Sequence, residues 1–247
     1  MSDSGNERSR TITLDSSLAL YALLGHTAVL ALIVYRRIYK SFPIFSAYLL
    51  LSLIAIGMSY LFRGFNSVGT LYLALSFVDA AFIVAVLSEL SMSVLRSLQS
   101  YLQSWTPLAI AYPLALSYAV IWQFVKGLDA LAWLTPPLDY QVCLDLSGSG
   151  LQIIYFIAFT GVSRIAGIGW RSRQLQIAAG LGFLSFVNFW TTMVQLNLES
   201  SYAAHIHQYH LMDELKSFGW CCLMLYWTVN FARKEREWEP GWFQKNL

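Results

Sequence analysis

The sequence predicts an all-α fold, a polytopic membrane helical bundle of about seven transmembrane helices, with the N-terminus out and the C-terminus in. Three observations predict it. The 247 residues are 57% hydrophobic and only 12% charged, whereas a soluble globular chain carries about 25% charged and roughly 45–50% apolar residues. The charges cluster between long apolar runs, and ~20 helical residues are enough to cross a ~30 Å hydrocarbon core. These runs are apolar on every face, unlike the ~10-residue alternating segments of a transmembrane β-barrel.

Residues 1–16 form a polar N-terminal tail holding Arg8 and Arg10 alongside Asp3, Glu7 and Asp15. The first span, 17–35, closes on Arg36-Arg37. It shows no small-residue cleavage site and continues into a basic loop, so it reads as a retained span and not as a signal peptide. The second, 44–62, is opened by Phe42-Pro43, proline being suited to a first helical turn. The third, 69–95, ends at Arg96, and the fourth, 106–125, has Pro107 at its start and Pro113 inside, where a kink is expected. The fifth, 141–165, is diluted at its start by Asp145 and Ser147-Gly148-Ser149-Gly150, which makes it the softest of the set. The sixth, 175–196, and the seventh, 211–232, are followed by a basic, aromatic tail, 233–247, suited to the headgroup level.

Orientation follows from the lysines and arginines near span ends. Eleven fall on one side (Arg36, Arg37, Lys40, Arg96, Arg164, Arg171, Arg173, Arg233, Lys234, Arg236 and Lys245) and five on the other (Arg8, Arg10, Arg63, Lys126 and Lys216). The richer side is expected to be cytoplasmic.

Composition also excludes functions. A net charge of +2 with no arginine-rich stripe argues against a nucleic-acid partner. Cys143, Cys221 and Cys222 fit no metal spacing, and no cofactor is expected. Neither a nucleophile elbow nor a phosphate loop is present, so the chain is expected not to be an enzyme. The expected partners are the lipid bilayer and a membrane or cytoplasmic protein, because no effector domain is attached.

Phe42-Pro43-Ile44-Phe45 followed by Tyr48, the run Val86-Leu87-Ser88-Glu89-Leu90, and Gly169-Trp170-Arg171-Ser172 followed by Gly180-Leu181-Gly182-Phe183 together resemble a family of uncharacterised bacterial seven-helix membrane proteins of acidobacterial type. The likeness spans most of the chain. It implies a seven-helix integral membrane fold, located as a multi-pass protein in the bacterial inner membrane, and it brings no activity.

Ionisable groups inside a span are costly and mark candidate sites. Glu89, Asp79, His26 and Arg164 form the candidate intramembrane polar set. Glu89 precedes Arg96 by seven residues, which puts both on one face but ~10 Å apart along the axis, so Arg164 is the alternative partner. The structural reading of Glu89 is an ion pair or a neutral buried carboxyl, and the functional reading is a proton- or ligand-sensitive switch. Asp79 lies ten residues earlier, rotated by ~280°, so the two carboxyls form no close dyad. Asp145 is placed near the outer end of the fifth span, and a lone His26 in mid-span is more often a packing residue than a ligand. Asn188 and Trp190 sit deeper in the sixth span, where they either pack or line a cavity.

The second candidate site is an outer mouth of His205, His207, His210, Asp213 and Glu214. His207, His210 and Glu214 share a face if the seventh helix starts early, and imidazoles with a carboxylate are good zinc ligands. A pH sensor and a plain interfacial loop are the other readings. Lys216 raises the comparison with microbial rhodopsins, whose seventh helix carries the retinal-linking lysine. Asp213 precedes it by three residues where that family has four, the third and sixth helices lack that family's patterns, and Lys216 is close enough to the span end to snorkel outward. Three functions remain: a non-enzymatic sensor or interaction protein acting through a partner, a small-solute or ion transporter, and a structural subunit of a larger membrane assembly.

Overall fold

The computed structural model describes residues 4–61, 68–97, 107–126, 138–165, 172–199 and 202–233. The described residues form seven α-helices: α1 (Ser4–Tyr35), α2 (Pro43–Leu61), α3 (Val68–Ser97), α4 (Pro107–Lys126), α5 (Leu138–Ile165), α6 (Arg173–Glu199) and α7 (Tyr202–Ala232). A short 3₁₀ turn, Ile38–Lys40, joins α1 to α2. The chain is therefore an all-α helical bundle. Three stretches, Ala74–Val94, Val142–Arg164 and Arg173–Leu198, are long and apolar enough to cross a membrane, and Leu20–Tyr35 and Pro43–Met58 are shorter apolar helices. The second long stretch belongs to the element that looked softest in sequence.

Helix starts and stops are local chemistry. Pro43 occupies the first turn of α2, where its missing N–H costs nothing. Ser172 accepts the Leu175 N–H at 3.4 Å and caps α6. Between α1 and α2 the chain turns sharply through Arg37 at φ 55°, a left-handed conformation that only glycine adopts without steric cost. Two helices exceed their expected bounds most. α1 begins within the polar tail, at Ser4, and α7 begins nine residues early, at Tyr202. No proline interrupts either polar segment, so the hydrogen-bond ladder continues through it. α4 continues as one helix through Pro113.

The helices form a ring in chain order, closed by α1 against α7, with α3 reaching across to α5 and α6. Long-range hydrogen bonds define one end of the ring. The Arg36 guanidinium donates to the Ala232 carbonyl at 2.6 Å, and the Trp227 indole donates to the Gln176 carbonyl at 3.3 Å. The C-terminal ends of α1 and α7 thus meet the start of α6 at what is termed here the Arg36 end.

The packed core is concentrated toward that end. Phe45, Leu49, Leu87, Leu90, Ile177, Trp227 and Phe231 are all fully buried. Phe45 meets Trp227 edge-on at 5.1 Å, and Trp227 stacks on Phe231 at 6.4 Å. Gly180 makes this possible, since a Cβ there would lie 2.5 Å from the Trp227 indole nitrogen. Trp227 is thus a keystone of the core, while Trp122 stacks on Tyr140. The outer surface is apolar. Tyr112, Leu116, Val120 and Phe124 repeat every four residues along the exposed face of α4, the side a bilayer solvates as readily as a protein interior would.

Candidate polar cavity

In the other half of the bundle the packing opens into a cavity of about 300 Å³. Five helices line it: α2 with Tyr48 and Ser52, α3 with Asp79, α5 with Asp145 and Gln152, α6 with Ser185 and Asn188, and α7 with Lys216 and Trp220. Helical periodicity brings these residues inward. Asp145, Ser149 and Gln152 lie four and three apart on α5, and Ser185, Asn188 and Thr192 three and four apart on α6, so each set follows one face.

The lining is internally bonded. The Tyr48 hydroxyl pairs with the Asp79 carboxyl. Ser185 Oγ contacts Gln152 Oε1 across the α5–α6 interface. The Lys216 ammonium donates to Gln195 Oε1 at 2.6 Å, while Gln195 Nε2 donates to Asp213 at 2.7 Å. Gln195 therefore ties the lysine and an acid of α7 to α6. Asp145 interacts electrostatically with Asp79 and with Lys216. Below this cluster a second void of about 10 Å³, bordered by Tyr48, Leu87 and Leu181, is close to the lower limit for a single water.

The expected intramembrane set divides. Asp79 lines the cavity. Glu89 does not, and Arg164 is not its partner. Its two carboxyl oxygens accept the backbone N–H groups of Ile44 and Phe45, each at 2.9 Å. A carboxyl from α3 thereby caps the start of α2, where unsatisfied N–H groups and the helix dipole favour it. Arg164 is exposed at the end of α5, and the Arg96 side chain lies outside the described residues. The Phe-Pro-Ile-Phe and Val-Leu-Ser-Glu-Leu motifs, distant in sequence, are thus two halves of one contact.

His26 is buried beside the cavity without lining it. Its Nδ1 pairs with the Ala22 carbonyl at 2.8 Å, its ring packs on Trp220 at 5.3 Å, and its Nε2 has no hydrogen-bond partner among the described residues.

The outer-mouth set divides as well. The early start of α7 does put His207, His210 and Glu214 on one helix, but His207 and His210 are exposed. The His207 and Glu214 positions are about 10 Å apart along the axis, too far for one ion. No group of three His, Cys, Asp or Glu among the described residues gathers closely enough to hold a metal. The side chain of His205 lies outside the described residues. Asp213 is engaged by Gln195.

Sequence reasoning missed the principal members of the site. Lys216 does not snorkel outward. It stands at the middle of the longer α7 and faces the cavity. Asp145 borders the cavity with an exposed side chain. Ser147–Gly150 is no break in α5: Ser147 and Ser149 are buried, and a Cβ at Gly148 would lie 3.1 Å from Ile83, so small residues here let α3 and α5 approach closely. Asn188 lines the cavity, whereas its neighbour Trp190 is 61% exposed on the apolar outer face.

The three cysteines form no disulfide among the described residues, and Cys143 is buried. The site defines a helical-bundle membrane protein with an internal, charged cavity. No protein-family model, no curated protein and no solved structure matches the chain.

Proposed function

We propose that this protein is a seven-span integral membrane protein, N-terminus outside and C-terminus in the cytoplasm, that binds a small polar solute in its cavity and signals through a separate protein partner without catalysis. The observation that carries the reading is the division of the bundle. A polar chamber containing Asp79, Asp145 and Lys216 sits in one half, and a close-packed aromatic and aliphatic plug fills the other. That is the geometry of a pocket with a floor, in which occupancy is felt by helices that converge on the plug.

The excess of lysine and arginine at the Arg36 end supports the assigned orientation, and the resemblance to a bacterial seven-helix family supports an inner-membrane location. Transport is the second reading, favoured by ionisable groups deep in the bundle. Against it, α4 and α5 run unbroken through Pro113 and Ser147–Gly150, whereas transporter sites are typically built on interrupted helices.

The test uses the purified protein in nanodiscs and in liposomes. A solute that stabilises it saturably, loses that effect in Asp79→Asn, and is not carried into liposomes supports a receptor. Protein-dependent uptake of the same solute would replace that reading with transport. A C-terminal green fluorescent protein fusion that fluoresces supports the orientation, and an active C-terminal alkaline phosphatase fusion would reverse it.

A further inference from the structure

The charges of the cavity do not balance. Asp79 and Asp145 contribute two carboxyls, and Lys216 is the one lysine or arginine among the described residues that borders the chamber. Lys216 is itself committed, because its ammonium is bonded to Gln195 and interacts with Asp213 as well as with Asp145. Asp79 has the Tyr48 hydroxyl. Asp145 has no hydrogen-bond partner among the described residues and feels the repulsion of Asp79. Asp145 is exposed toward the chamber, and two carboxyls facing one committed ammonium favour a cation over an anion there.

Volume decides what kind of cation. At ~30 Å³ of liquid per water molecule, the chamber of about 300 Å³ far exceeds a bare alkali ion. The α6 wall is neutral and hydrogen-bonding, with Ser185, Asn188 and Thr192. Trp220 adds an aromatic surface of the kind that attracts ammonium groups and covers methylenes.

We propose that the cavity takes a small hydroxyl- or amide-bearing organic ammonium compound, its cationic nitrogen between Asp79 and Asp145 and its polar remainder on the α6 wall. This rests on the cavity being the ligand site of the proposed receptor. Lys216 then sets an electrostatic limit: it repels a second positive charge, so a monoammonium is favoured over a diammonium.

The experiment measures thermal stabilisation of the full-length protein in nanodiscs by ethanolammonium chloride, ethylenediammonium chloride, sodium lactate and sodium chloride. Ethanolammonium should stabilise saturably, more strongly than ethylenediammonium. Asp145→Asn should weaken it by about tenfold or more, the effect of losing one charged hydrogen bond, while His207→Ala leaves it unchanged. Asp145→Glu, which keeps the charge, should retain binding, and ligand-free melting of each variant separates loss of binding from loss of fold. Absence of saturable stabilisation by ethanolammonium overturns the proposal. Stabilisation by lactate that depends on Lys216 overturns the ammonium class while leaving a ligand pocket in place. Equal stabilisation by sodium chloride overturns the organic character. Uptake of ethanolammonium into liposomes would overturn the receptor reading and leave the ligand class standing.

Discussion

The two halves of the bundle treat a carboxyl within an apolar helix in opposite ways. At the Arg36 end, Glu89 is consumed by structure. Both its oxygens are occupied by N–H groups at the start of α2, and packed apolar side chains surround the contact. In the other half, Asp79 and Asp145 border empty space, one held by a tyrosine and the other without a bonded partner among the described residues. The lesson is that a charged residue within an apolar helix is not a functional marker until its oxygens are accounted for. The carboxyl that is most prominent in the sequence is a cap, and the one the Ser-Gly stretch obscures is the exposed group of the chamber.

The contrast can be broken most directly by chemical access. In a background with Cys143, Cys221 and Cys222 replaced by alanine, a hydrophilic thiol reagent should modify Asn188→Cys in the folded protein and Ile177→Cys only after denaturation, since Ile177 is fully buried. Equal labelling of both would erase the distinction between chamber and plug.

Next in size is the loss of packing. Within a bilayer the hydrophobic transfer term is small, and close packing supplies much of the stability. Trp227→Ala should cost about 3–5 kcal/mol, seen as a fall in melting temperature in detergent. Asn188→Ala, which enlarges an existing cavity, should cost under about 1 kcal/mol. Comparable losses would mean that the chamber is as structural as the plug.

Glu89→Gln sharpens the comparison further. An amide offers one acceptor and turns its NH₂ toward the second N–H, so it should destabilise by about 1–3 kcal/mol. The equivalent Asp145→Asn should have little effect on ligand-free stability. A neutral outcome for Glu89→Gln in chemical denaturation would show that one N–H bond is sufficient.

Gln195→Ala removes the link from α6 to both Lys216 and Asp213, with an expected cost of about 1–2 kcal/mol. Arg37→Gly is the smallest expected effect and carries the opposite sign. It relieves a left-handed residue and should stabilise by up to about 1 kcal/mol in chemical denaturation.

Much of the fold was legible in the sequence because its signals are local. Long uncharged runs bounded by Arg36-Arg37 and Pro43, or by Ser172, state where helices lie. The differences came where a polar segment carries no proline to stop a helix, as after Ser4 and Tyr202, and where small residues were read as a weakness. Ser147–Gly150 is polar and glycine-rich in isolation. Against Ile83 and Tyr118 it is a packing face, and no single-helix property reveals that.

The site was legible in part. Asp79 stood out, and lining a cavity was one of two readings for Asn188. Glu89 and the His205–Glu214 segment drew attention by residue type alone, and residue type does not say which groups meet. Glu89 reaches Ile44 and Phe45 across more than forty residues of chain, and the lysine and acids of the chamber come from three different helices. By itself the sequence determined an apolar, all-helical chain, because helix formation and lipid compatibility depend on composition and on near neighbours. Only the tertiary structure decided which face of each helix turns inward. That choice made Trp227 a core residue and Trp190 an outer one, turned Glu89 into a cap, and set Asp79, Asp145 and Lys216 around one cavity, because partners in space are fixed by the packing of whole helices and not by spacing along any one of them.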